Sequence, residues 1–158
     1  MSPLDGLQMP HELACEFFAV FSRFEFALKD CNYFYVNRFG RAAPDWDGYY
    51  AHANATFKVD HDATLADAIH YLNNEPPWVQ TAPAGWDKNF PLRGPAPIGT
   101  ALDAATRVRN NLYHGGKHAP HSPPGRDEKL VRSALYLLNA CLGQDDALRG
   151  AYEQPAAL

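Results

Sequence analysis

Residues 107–118, "RVRNNLYHGGKH", gather the side chains best suited to chemistry: Arg107, Arg109, Asn110, His114 and Lys117. An imidazole titrates near pH 6.5 and can give or take a proton, while a guanidinium presents paired donors to an anion. The surrounding charge points the same way. Residues 107–132 hold six Arg or Lys against Asp127 and Glu128, a local balance of +4. The rest of the chain, with eight basic and sixteen acidic residues, carries −8, so a net charge of −4 hides a local positive region fit for a focused anionic ligand. The overall acidity argues against nonspecific nucleic-acid binding through a broadly basic surface.

The element that must present these groups is a predicted helix from about Ile98 to His114, with Ala101, Leu102, Ala105, Val108 and Leu112 on one stripe. At 100° per residue Arg109 falls at the stripe's edge, whereas Arg107, Asn110 and His114 share the opposite face. Asn110 and His114 are four residues apart, so the amide can hold the imidazole in one orientation. Gly115 can adopt the left-handed conformation that closes a helix, and the Gly115–Gly116 pair leaves room for a ligand. A plainer reading stands beside this one. A histidine in the last turn can simply cap the helix dipole, and Arg109 can pair with a carboxylate such as Glu25.

The other elements also read as helices. Leu13, Phe17, Phe21, Phe24, Leu28, Cys31 and Tyr35 recur at steps of three and four, which predicts one long helix from Pro10 to Phe39. Asp45 is a good cap for a second, carrying Trp46, Tyr49, Tyr50, Ala53 and Phe57, and these aromatics read as core or dimer surface. A third follows Thr64, with Leu65, Ala68, Ile69 and Leu72 inward. Residues 76–97 contain six prolines, so a long loop is expected there, packed across the bundle by Trp78, Trp86 and Phe90. A further helix runs from near Asp127 to Gly143, and a short one covers about 145–152. With 158 residues, 46% hydrophobic, and no sustained alternation, the expected fold is a single all-α domain, an up-and-down bundle of four to five main helices. The first ten residues lack a basic start and an apolar run, and no stretch is long enough to span a bilayer, so a cytoplasmic protein with no membrane association is expected. Cys15, Cys31 and Cys141 have no metal-type spacing and read as small core residues.

"RNNLYHGGKH" resembles the Arg-x4-6-His signature of the HEPN superfamily in its Arg-Asn-x-x-x-His form, and "FSRFEFALKDCNYF" is similar to the first helix of small stand-alone bacterial HEPN proteins. The likeness covers those two helices and "GGKH"; the middle of the chain matches only in being helical. It implies a HEPN-like bundle that dimerises with two copies of the signature at the interface, and a metal-independent ribonuclease acting on RNA. Arg109, Asn110 and His114 are then the catalytic set, and Lys117 is a candidate for holding phosphate; Arg107, from its place on the face shared with Asn110 and His114, is a further candidate for binding substrate. Metal-free cleavage uses the ribose 2′-OH as nucleophile, so the protein must move protons and stabilise charge on the phosphorus oxygens. A two-fold dimer would supply two imidazoles where one chain has one. The resemblance also implies a toxin or phage-defence role, with a cognate antitoxin as a further partner. Two other readings compete. The chain can be a HEPN-fold module that binds nucleotide, RNA or a partner protein without cutting. Metal binding by His114, His118 and His121 is the other, but Gly115 and Gly116 break the helical geometry an H-x3-H pair needs and no nearby Cys or acid completes the set, so no metal or other cofactor is expected.

Overall fold

Phe17, Phe21, Phe24 and Leu28 pull one face of the first helix into the interior, where all four are buried. The computed structural model describes residue 2, residues 4–113 and residues 122–154. Six helices are present among them: α1 (His11–Asp30), α2 (Trp46–Thr56), α3 (Ala63–Asn74), α4 (Ile98–Tyr113), α5 (Arg126–Gln144) and α6 (Asp146–Glu153). Two small antiparallel hairpins join them, β1 (Phe34–Val36) with β2 (Ala42–Pro44), and β3 (Val79–Ala82) with β4 (Gly85–Asp87). The fold is therefore mostly helical rather than purely all-α.

The first departure from expectation is at the end of α1, which stops nine residues before Phe39. Asn32 takes φ +66°, its N–H bonds to the Lys29 carbonyl and the Tyr33 N–H reaches back to the Leu28 carbonyl at 2.8 Å. That pairing is a Schellman stop with asparagine in the left-handed position. The residues beyond it, Tyr33 to Val36, are aromatic or β-branched and favour a strand. Residues 76–97 differ likewise: a two-stranded ribbon fits between Pro77 and Pro91, where each strand is an edge and no ladder bond is lost to proline.

Helix starts follow side-chain caps. Asp45 accepts from the Gly48 N–H at 3.1 Å, Asp62 from Leu65 at 2.9 Å and Asp145 from Leu148 at 2.9 Å. The third helix thus begins at Ala63, capped by Asp62, just ahead of Thr64. Within the bundle α5 lies against α1, α3, α4 and α6, while α2 packs on α4. The buried side chains form one continuous cluster, with Tyr49 and Tyr50 fully inside it. Among the described residues no helix is long and apolar enough to cross a membrane.

Of the three cysteines, Cys141 is buried, but Cys31 is half-buried at the α1 cap and Cys15 is exposed, so the core expectation holds for one of them. Burial pushes the Cys141 thiol up to about 12, against a hydrogen bond with Tyr49 and with help from Asp145. The thiolate, not the thiol, is the nucleophile. At pH 8 a maleimide is therefore expected to modify Cys15 in the native protein and Cys141 only on unfolding, read by intact mass. Rapid native labelling of Cys141 would contradict the packing.

Candidate active site

α4 is enclosed for most of its length. Ile98, Ala101, Leu102, Ala104, Ala105 and Val108 are buried, and so are the polar Asp103, Thr106 and Arg107. Only its last turns emerge, where Arg109 is half-buried, Asn110 is exposed and the Tyr113 ring meets Phe18 of α1 edge-on at 5.2 Å. The candidate residues Arg109 and Asn110 therefore sit where the helix leaves the core.

Arg109 is held by α1. Its Nη2 donates to Glu25 Oε1 at 2.7 Å and its guanidinium lies 4.9 Å from the centre of the Phe21 ring. The same Glu25 oxygen accepts from Trp46 Nε1 at 2.9 Å. Trp46 in turn stacks on Phe24, with ring centres 5.5 Å apart and planes 3° from parallel. Side-chain exposures of 27% for Arg109 and 23% for Glu25 leave the pair only partly open to water. The Arg109 Nε is buried with no hydrogen-bond partner among the described residues. The ion pair with Glu25 is the one the sequence allowed as the plainer reading; the Trp46 contribution carries no sequence signal beyond its position after the α2 cap.

Arg107 departs from the helical wheel. The face expected to be open is roofed by residues 90–93, and Arg107 is buried. Its Nη2 lies 2.9 Å from Asp103 Oδ2 and donates also to the Pro91 carbonyl, while Nη1 donates to the Phe90 carbonyl at 2.9 Å. Asp103, only 2% exposed, also accepts from the Arg93 N–H at 3.0 Å and from Arg93 Nε at 3.3 Å. The Tyr50 hydroxyl bonds to Thr106 Oγ1 at 3.2 Å beside it. Arg107 thus straps the segment before α4 onto that helix, with both Nη atoms engaged there. Asp103 and Arg107 are four apart, an acid–base spacing legible in sequence, although what covers them is not.

His114, Gly115, Gly116, Lys117, His118 and His121 lie outside the described residues. Among those described, no group of three or more His, Cys, Asp or Glu could hold a metal ion. Next to the end of α4, burial raises the Tyr113 phenol above its ordinary value, only partly opposed by the Arg109 guanidinium, so this hydroxyl stays neutral near physiological pH. The exposed end can thus offer an amide and a neutral phenol, with a guanidinium fixed behind them.

Comparisons with protein-family models, with curated proteins and with solved structures find no match to the chain.

Proposed function

We propose that this chain is a HEPN-like, metal-independent endoribonuclease that works as a homodimer, with Arg109, Asn110 and His114 as the core of the site. The observation that carries it is that α4, closed in along most of its length, emerges at Arg109 and Asn110, directly before His114 in the sequence. In the proposed reaction the 2′-oxygen attacks phosphorus and gives its proton to His114 of one copy. The bond from phosphorus to the 5′-oxygen breaks as His114 of the second copy protonates that oxygen. The products are a 2′,3′-cyclic phosphate and a 5′-hydroxyl. Asn110 orients the imidazole, and Lys117 neutralises phosphate charge. Arg109, tied to Glu25 and Phe21, is a positioning residue.

The dimer is supported by apolar surface beside the same end of the molecule. Phe18 and Phe26 of α1 are more than half exposed and Tyr113 of α4 more than a third. Burying such aromatics between copies is the usual energetic basis of a homodimer face. Phe18→Asp would bury an uncompensated charge there and is expected to shift the sedimenting species to the 17.6 kDa monomer with loss of cleavage. A dimer unaffected by Phe18→Asp would place the contact elsewhere.

The direct test is incubation of purified protein with single-stranded RNA in EDTA. New ends carrying a cyclic phosphate are expected; intact RNA, or cleavage that needs a divalent cation, would overturn the proposal. A second reading, a HEPN-fold module that binds RNA, nucleotide or a partner protein without cutting, is favoured by one observation: the Arg109 Nη2 is already engaged by Glu25. A toxin or defence role with an antitoxin partner rests on the family resemblance alone.

A further inference from the structure

The hairpin between α1 and α2 exposes apolar surface that the core does not use. Phe34, Tyr35 and Val36 stand on β1, and their cross-strand neighbours are Pro44, Ala43 and Ala42, too small to cover them. At the tip Phe39 is 70% exposed and carries the Arg38 guanidinium 4.7 Å from its ring centre. The tip is fixed rather than loose. Asn37 Oδ1 accepts from the N–H groups of Phe39 at 2.9 Å and Arg41 at 3.1 Å, the Asn37 N–H bonds to the Arg41 carbonyl, and Gly40 supplies the φ of +73° the turn needs. A side chain in that turn would be strained even though nothing crowds the site.

The charge is as selective as the shape. Between Asp30 and Asp45, which flank the hairpin at its base, residues 31–44 contain Arg38 and Arg41 and no Asp or Glu, in a chain whose net charge is −4. Both arginines are exposed and make no ion pair among the described residues. Exposed aromatic faces beside unneutralised guanidiniums are what a single-stranded nucleic acid recognises: bases stack on the rings and the cations follow the backbone. A second copy of the chain is the poorer occupant, because edge-to-edge pairing would set arginines against arginines with no carboxylate in either hairpin.

We infer that the β1–β2 hairpin is a docking platform for single-stranded RNA, with Tyr35 and Phe39 stacking bases while Arg38 and Arg41 hold phosphates. This rests on the ribonuclease reading and adds the means by which an acidic protein holds its substrate. The connection to the site runs along α1. Glu25, which grips Arg109, lies five residues before the end of α1, about 8 Å of helical rise. Trp46, which donates to Glu25, follows β2 by two residues. The end of α4 lies further back along α1, where Tyr113 meets Phe18 twelve residues before Asp30, about 18 Å of helical rise, so one RNA strand must run along α1 to touch both.

The test measures binding apart from cleavage. Full-length protein is titrated into a fluorescein-labelled RNA of about 12 nucleotides, within the usual single-strand site size, with 2′-O-methyl ribose throughout so that 2′-OH attack is blocked. Phe39→Ala is expected to weaken binding about 5- to 150-fold, the usual effect of losing one stacked base. Arg38→Gln with Arg41→Gln is expected to lower the slope of log K against log salt by about 1.4, two phosphates' worth on a single strand. Unchanged thermal midpoints establish that both variants fold. Parent-like affinity and salt slope would overturn the platform, whether or not wild-type protein cuts unmodified RNA. Weakened binding with no cutting by wild type would keep the platform and remove the nuclease. If the variants instead change only the sedimenting mass, or only binding to vesicles of phosphatidylserine and phosphatidylcholine, the surface serves self-association or a membrane and the inference fails.

Discussion

Replacing His114 with alanine is expected to slow RNA cleavage about 10²–10⁴-fold, the range for loss of a group that moves a proton in the transition state. Binding of uncleavable RNA should stay within a few-fold of the parent, because the proposed docking platform lies on the β1–β2 hairpin. The rate of the parent against pH should carry a limb near the imidazole range, and the variant should lose that limb along with the rate. Arg109 gives the contrasting case. Its guanidinium is clamped by Glu25 at 2.7 Å and by the Phe21 ring, so its role is to hold the end of α4 against α1. Arg109→Ala and Glu25→Ala should then depress the rate by similar amounts, and the double variant little further, since both remove the ion pair they share, even though Glu25→Ala also takes the acceptor from Trp46 Nε1. Each should also cost about 1–2 kcal/mol of stability, a charge-assisted bond discounted for partial exposure. If Arg109→Ala fell far below Glu25→Ala in rate while the pH limb persisted, Arg109 would be touching the phosphate. An unaltered rate in His114→Ala would remove the proposed chemistry altogether.

The helical elements were legible because their signals are local. The period of Phe17, Phe21, Phe24 and Leu28 fixes α1's buried face, and Asp45 announces the start of α2 by its side chain. α4 was expected from Ile98 to His114 and is described over Ile98–Tyr113. The misses have physical causes. Cys31 and Tyr35 continue the apolar period past the true end of α1, so a pattern based on hydrophobicity alone runs through a stop that depends on one left-handed asparagine. The β3–β4 ribbon hides in a proline-rich segment because the prolines fall at its flanks and at Pro83 in the turn, outside both strands. Arg107 misled for a tertiary reason. A helical wheel gives angles within one helix and knows nothing of a loop laid across the other side, and here that loop carries the Phe90 and Pro91 carbonyls that take up the guanidinium. The pairing of Arg109 with Glu25 was open in sequence because both are spaced onto facing helices, yet the wheel could not choose between that contact and a ligand.

Asp103→Ala is expected to be the most destabilising single change outside the apolar core. The carboxylate is 2% exposed and meets two guanidiniums, Arg107 at 2.9 Å and Arg93 at 3.3 Å, as well as the Arg93 backbone N–H. Removing it leaves Arg107 buried with carbonyl oxygens but no counter-charge, and uncompensated buried charge typically costs about 3–5 kcal/mol. For a chain of this length that corresponds to a fall in thermal midpoint of about 10 °C. Arg93→Ala should cost far less, below about 1 kcal/mol for its ion pair, because 61% of its side chain is in water. The ordering follows from burial alone, and urea titrations of the two variants check it directly; equal effects would mean the strap is held by something other than this carboxylate. A paired change, Asp103→Leu with Arg107→Met, removes both charges together and should recover much of the loss, since apolar replacements of a buried pair are often neutral or stabilising. The strap's task is then separable from chemistry. It presses the segment before α4 onto that helix, so Asp103→Ala protein assayed well below its midpoint should cut RNA at close to the parental rate, losing activity only as it unfolds.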